Sequence, residues 1–379
     1  MAINGVEFNF PHHAMQPMSP AEIDELNLAL GQEVPVDQID KALRHLWSAD
    51  ESRTNACLIN FAIYSEQSGS LQKNSTIVGK LMHEHACRAL LIEMDRSITE
   101  ASIRSWIMAH CYLSGGRKSV CCEQIAFRLT GVSRGRLRNT VFAHLASDLP
   151  FIFWWQGNLS PMFEDHLHAV VDRFIFDSDE WTDPVNGFAS ISRASHQKTS
   201  KMIIQDLAWT RSFSYRTALA SLFDDPMAMP AFAAVNDVEI IYHPRHRMAA
   251  LQLLSWLQVQ SSWNTGLELQ RSASRSENGN EIFHFHNATG QAITAKLTAD
   301  ANSAPLGGLH LRGDDVCFSV TRNAGHCHLQ LHSQIGEHLV ETLQPIACDE
   351  SCSLIGEQLA RGGKNSLYRK ILPAFMELL

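Results

Sequence analysis

"SDLPFIFWWQG", residues 147–157, is a short apolar run with an Asp–Leu–Pro entry and a Gly exit. Its length and aromatic content fit a buried strand bounded by turn residues. It ends on Trp154 and Trp155. Neighbouring side chains of a strand point to opposite faces, so the two indoles cannot pack on the same side. One lies under a layer of helices. The other faces a second helix layer, a ligand or another protein.

Working outward, strands alternate with helices on both sides of this run. "NACLINFAIYS" (55–65) reads as a buried strand, "TIVGKLMHEHA" (76–86) as a helix, and "CRALLIEMD" (87–95) as a strand ending in acidic residues. "SIRSWIMAHCYL" (102–113) and "SVCCEQIAFRL" (119–129) read as strands joined by the "SGGRK" turn. Then come a helix over 134–147, the double-Trp strand, a helix in "PMFEDHLHAVV" and the strand "DRFIFDS" (172–178). The pattern predicts an α/β fold with a mostly parallel sheet, flanking helices and a hairpin insertion. Upstream, Ser19, Pro20 and Glu22 form a capping-box signature, and Val36, Ile39, Leu43, Leu46 and Trp47 a helical stripe.

Beyond residue 180 the pattern predicts helices over 188–205 and 211–224, a strand over 238–244 and a helix over 247–260. Short alternating segments between Gly, Asn and Asp turns follow, from "GLELQRS" to "HCHLQLH". They read as a C-terminal antiparallel β-meander, closed by two terminal helices. The expected division is an N-terminal helical extension (1–52), an α/β domain (53–180) and a C-terminal domain (181–379). The last comprises a helical segment (181–262), the meander (263–335) and the terminal helices (336–379).

Bulk properties remove several classes. A 379-residue chain with net charge −9 and no basic block disfavours general nucleic-acid binding. No apolar stretch reaches 18 residues, so no membrane span is expected. The N-terminus lacks a basic n-region and an apolar h-region and reads as cytoplasmic. The odd count of nine scattered Cys argues against a disulfide framework and for mostly reduced, buried thiols.

Catalytic signatures are missing. "YLSGGRKS" (112–119) lacks the glycine spacing of a phosphate loop, and a hairpin turn explains it. There is no GxGxxG after a strand and no GxSxG elbow. His166 and His168 follow the double-Trp strand without an arguable triad. His284 with His286, and His326 with His328, share strand faces; with His310 and His332 they are a candidate metal site, but a solvated sheet face explains them equally. No metal and no cofactor is assigned. Cys348 and Cys352, at i,i+4 spacing, are read as packing. Arg134, Arg136 and Arg138 are the candidate anion contact, or the solvated start of a helix. Trp209 in "DLAWTR" is a domain-packing plug or a partner anchor.

Three stretches in order are more specific: "CCEQIAFRLTG" (121–131), "DLPFIFWWQG" with "VVDRFIFDS", and "DLAWTRSFSYRTALASLFDDP" (206–226). Together they resemble the OpcA family, the glucose-6-phosphate dehydrogenase assembly proteins. "IDKALRHLW" (39–47) and "LIGEQLARGGKNSLYRKIL" (354–372) extend the likeness toward both ends, while Gln156 stands where the family leads one to expect Pro or Arg. The resemblance implies a non-catalytic protein that binds glucose-6-phosphate dehydrogenase and favours its active oligomer in the oxidative pentose phosphate pathway. It also implies a link to thioredoxin in some photosynthetic members. Trp154, Trp155, Trp209, Thr210 and Arg211 are the expected partner-binding residues. The alternative is an α/β enzyme or sensor for a sugar phosphate or nucleotide.

Overall fold

Phe151–Trp155 is a strand, and both of its faces are buried. It lies inside the first of two sheets in a computed structural model that describes residues 26–48, 53–55, 57–114, 118–131, 135, 137–163, 165–195, 202–264, 280–347, 350–360 and 365–379. The strands of this sheet are β1 (Gln32–Glu33), β2 (Arg53–Asn55), β3 (Ile59–Ser65), β4 (Cys87–Asp95), β5 (Ile103–Ser114), β6 (Lys118–Thr130), β7 (Phe151–Trp155), β8 (Arg173–Phe176) and β9 (Ile203–Asp206). The order is β1-β5-β6-β4-β3-β7-β8-β9, with β2 beside β6. From β6 to β9 every neighbouring pair is parallel, while β5 folds back antiparallel on β6. The parallel strands thus run 3-2-1-4-5-6 in their own sequence order, the doubly wound arrangement.

The eight helices used below are α1 (Ile39–Ser48), α2 (Ser70–Leu81), α3 (Pro184–Ser195), α4 (Leu207–Arg211), α5 (Phe213–Leu222), α6 (Arg247–Gln260), α7 (Glu350–Ala360) and α8 (Ser366–Leu378). Helix α2 is the crossover between β3 and β4. Its apolar side, Leu71, Ile77, Val78 and Leu81, packs with Phe61, Ile63, Trp154 and Ile355 of α7 on one face of the sheet. On the opposite face Phe151, Phe153, Trp155, Phe174 and Phe176 form an aromatic layer. The alternation predicted for the double Trp therefore holds, and both indoles are core.

The second sheet contains β10 (Val235–Tyr242), β11 (Glu281–His286), β12 (Ala292–Ala299), β13 (Leu306–Gly313), β14 (Val316–Thr321), β15 (His328–Ile335) and β16 (His338–Pro345). Its order is β11-β12-β10-β13-β14-β15-β16, antiparallel except for β10 beside β12. Helix α6 is buried at eleven positions from Met248 to Gln258. A helix apolar nearly all round belongs between layers, and its residues share one core with both sheets.

Several expectations need correction. Residues 203–205, placed at the end of a helix, belong to the edge strand β9 (Ile203–Asp206), so the first sheet continues past residue 180. Proline at the start of α3 and Asp183, accepting from Asn186 N–H at 3.1 Å, set that helix earlier than expected. Over 137–144 the backbone forms a π turn and a 3₁₀ turn, and among the described residues of the helix expected over 161–171 only Asp165–His168 is α-helical. The thiols are not all reduced: Cys111 and Cys121 face each other across the β5–β6 hairpin in a disulfide, and Cys327 is disulfide-bonded too. The Ser19–Glu22 cap, "GLELQRS", Arg134, Arg136, the Arg138 side chain and Cys348 lie outside the described residues.

Candidate functional site

In a doubly wound sheet the crevice for a ligand opens beyond the carboxyl ends of the strands where the order reverses, here between β3 and β7. A phosphate held there uses the backbone amides at the start of the first crossover helix. In this chain those amides meet a carboxylate of the protein itself. Glu93, near the end of β4, accepts from Leu71 N–H (3.3 Å) and Ser70 Oγ (3.1 Å) with one oxygen. Its other oxygen accepts from Arg128 Nε at 2.9 Å. Glu93 is 3% exposed. The sequence marked β4 as ending in acid but not that this acid turns inward.

The crevice is also bridged. Gln156 N–H donates to Tyr64 C=O (2.9 Å), and the Gln156 and Asn74 side-chain amides exchange two hydrogen bonds (3.0 and 2.9 Å). The first residue past the double Trp thus ties β7 to α2. Gly157, with φ +77, makes a left-handed turn. Its N–H donates to Glu180 (2.8 Å) and its C=O accepts from Trp181 Nε1 (3.1 Å). Trp155 Nε1 donates to Asn158 C=O at 3.0 Å. Burial pushes the Glu180 carboxyl and the Tyr64 hydroxyl above their ordinary ranges.

A second polar cluster lies at the ends of β8 and β9, where the chain passes to the second sheet. Asp206 caps α4 through Ala208 N–H (3.0 Å) and also accepts from Ser178 N–H (3.1 Å) and Oγ (2.7 Å), Gln252 (2.7 Å) and Tyr368 (3.2 Å). Burial, then the nearby Asp177, pushes its carboxyl up to about 7. Arg211 spans Asp177 (2.9 Å) and Asp179 (2.8 Å). Asp179 in turn accepts from His246 Nδ1 (3.1 Å) and caps α6 through Met248 N–H (2.8 Å). Its own carboxyl is raised by burial. The Arg216 guanidinium lies 3.4 Å from the centre of the Trp209 ring.

Trp154, Trp155, Trp209 and Thr210 are between 0% and 7% exposed, and the Arg211 side chain is 8% exposed. The structure brings Trp209, Thr210 and Arg211 together in the junction and places the double Trp separately in the first sheet. None of the five forms an open surface. His284 and His286 lie exposed on β11, while His310 and His332 share a cross-strand row through Ser319. Among the described residues no three His, Cys, Asp or Glu side chains converge in a metal-binding arrangement.

Two family models match in chain order. Residues 78–193 match the glucose-6-phosphate dehydrogenase subunit N-terminal domain, and residues 202–372 the corresponding C-terminal domain. The chain belongs to the OpcA family of glucose-6-phosphate dehydrogenase assembly proteins. The "DLAWTR" stretch that marks this OpcA-family chain is therefore the buried splice between its two sheets. No curated protein matches it significantly. It is similar to solved structures at low identity. A 3-ketoreductase from Actinomadura kijaniata with NADP shares 8% identity at a TM-score of 0.41, covering 84% of this chain and 94% of that one. A super-repressor variant of Gal80p from Saccharomyces cerevisiae shares 9% at 0.44, covering 80% and 83%. An aldose-aldose oxidoreductase from Caulobacter crescentus shares 12% at 0.40, covering 84% and 96%. No helix among the described residues is long and apolar enough to cross a membrane.

Proposed function

We propose that this OpcA-family chain is a non-catalytic assembly factor and allosteric activator of glucose-6-phosphate dehydrogenase. It binds the dehydrogenase in the cytoplasm and favours its active oligomer, raising flux into the oxidative pentose phosphate pathway. Family membership across both halves of the chain carries the reading. The crevice supports the non-catalytic part, because Glu93 occupies the helix start where a phosphate would sit and Gln156 joins β7 to α2 across the opening. Physically, an activator must bind the active oligomer more tightly than the inactive one. Trp154, Trp155, Trp209, Thr210 and Arg211 serve that binding from within, by fixing the geometry of the surface above them.

Mixing the purified chain with the dehydrogenase of the same organism, while following NADP reduction and complex mass together, tests the proposal. A higher rate or substrate affinity together with a larger complex is expected. No change in either sinks it. The second reading, a sugar-phosphate or nucleotide sensor, is favoured by the 3-2-1-4-5-6 strand order. Calorimetric titration of NADP and glucose 6-phosphate into the chain alone separates the two, since the sensor requires binding without the dehydrogenase.

A further inference from the structure

Among the described residues the last strand of the second sheet, β16, pairs with β15 alone. Ile346 N–H donates to Cys327 C=O at 3.0 Å. Counting back along the antiparallel ladder in steps of two, Gln344, Thr342, Val340 and His338 turn their backbone groups toward β15. Leu339, Glu341 and Leu343 aim theirs away from the sheet. The register from Ile335↔His338 to His328↔Pro345 runs without a shift. No Lys and no internal Pro guards the strand, and Leu339 and Leu343 are 55% and 67% exposed. A long, regular edge with free backbone groups and apolar side chains is a template for another strand. The opposite edge of the same sheet is different: Asn264 exchanges two backbone hydrogen bonds with His286 of β11 (2.8 and 2.9 Å).

The pattern along β16 says which strand fits. Leu339-Val340-Glu341-Thr342-Leu343 has the same apolar–acidic–apolar spacing read in either direction about Glu341. An antiparallel copy related by a two-fold axis through Glu341 sets Leu339 of each chain opposite Leu343 of the other, on one sheet face. The outward-facing backbone groups are then in phase. The two Glu341 side chains meet at the axis, and each has its own His332 beside it, Nδ1 to Oε1 3.3 Å. We propose that β16 pairs antiparallel with β16 of a second copy of this chain, joining two seven-stranded sheets into one. This interface goes beyond the assembly function and does not depend on the identity of the dehydrogenase partner.

A single strand pair buries less than the roughly 1,200 Å² of a stable interface, so the dimer should accumulate with concentration. Sedimentation of the full chain over a rising concentration series should move the mass from 42.4 kDa toward twice that value. Leu343→Lys should hold the chain at the single mass, and Glu341→Gln should strengthen association by about threefold by removing the like-charge pair. Both positions are exposed, and an unchanged melting midpoint for each variant shows that it is folded. A wild-type chain that stays single at every concentration overturns the proposal. So does a Leu343→Lys variant that associates as well as wild type. Loss of dehydrogenase binding in that variant, with a wild-type chain that never self-associates, assigns the edge to the dehydrogenase instead and likewise overturns self-pairing.

Discussion

Glu93 stands where a bound phosphate would stand, and it is held there by an amide, a hydroxyl and a guanidinium. Removing it breaks the Arg128 ion pair and takes the acceptor from Leu71 N–H at the start of α2. Breaking a buried pair from one side costs about 3–5 kcal/mol. We expect Glu93→Ala to lower the free energy of unfolding in urea by about that much. Glu93→Gln should recover part of the loss, because its carbonyl oxygen still accepts from Leu71 N–H. An Ala variant as stable as wild type would mean that water replaces the carboxylate at no cost. Asp206 makes a different prediction. Its folded-state carboxyl is pushed up to about 7, against an unfolded value of about 3.9. The neutral form is favoured in the fold, so the stabilising contribution is full below the unfolded value and is lost as pH rises through the folded one. Stability should therefore fall between about pH 4 and 7, with a slope of up to roughly 1.4 kcal/mol per pH unit. The raised Asp179 carboxyl adds to the same trend. Asp206→Asn should flatten the slope; a slope unchanged in that variant assigns it to other groups.

At the scale of elements, burial moves the expected effect of the "WTR" turn from binding to folding. Trp209 is 2% exposed, stacked by Arg216 and 5.7 Å from the Tyr368 ring. Trp209→Ala should cost about 3–5 kcal/mol of stability, measured by denaturant unfolding, whereas exposed His284→Ala should change it by less than about 0.5 kcal/mol. Dehydrogenase affinity, corrected for the folded fraction, should then be lowered by Trp209→Ala only as far as the surface above it shifts. Affinity lost with stability intact would restore direct contact. Strand–helix alternation and the meander were legible because β7 is a continuous apolar run, β3 and β4 are apolar through their middles, and β12 and β15 alternate buried and more exposed positions. The four residues of β9 were not: short apolar runs read equally well as helix, and a neighbouring strand decides between them. The Cys111–Cys121 bridge follows from the hairpin register, which a Cys count does not contain. Both tryptophans of the opening run proved to be core because helices and aromatic rings cover the sheet on both faces, a property of layers rather than of one strand. Gln156 was visible as a departure from family expectation. Its role depends on Asn74, distant in sequence and brought near only by the βαβ crossover.

At the scale of the whole molecule, the two sheets meet through groups that each need the other half. Asp177 and Asp179 follow β8 of the first sheet, Arg211 ends α4, and the amides that Asp179 caps open α6, which packs under the second sheet. In the proposed role, a chain built this way would present both halves to its partner in one fixed relation, which reduces the ordering cost of binding. If the charges hold that relation, the slowest-exchanging backbone amides of β7 and β13 should open with the same free energy in the wild-type chain, as one cooperative unit. Arg211→Ala removes the cation shared by the buried Asp177 and Asp179 and should cost about 3–5 kcal/mol. If the charges carry the coupling, it should also separate the two opening energies, because the charged link is lost while the apolar packing stays. Hydrogen exchange followed by mass spectrometry reads both quantities. Different opening energies already present in wild type, or energies that fall together in Arg211→Ala, would place the coupling in the shared apolar core around α6 rather than in the charge network.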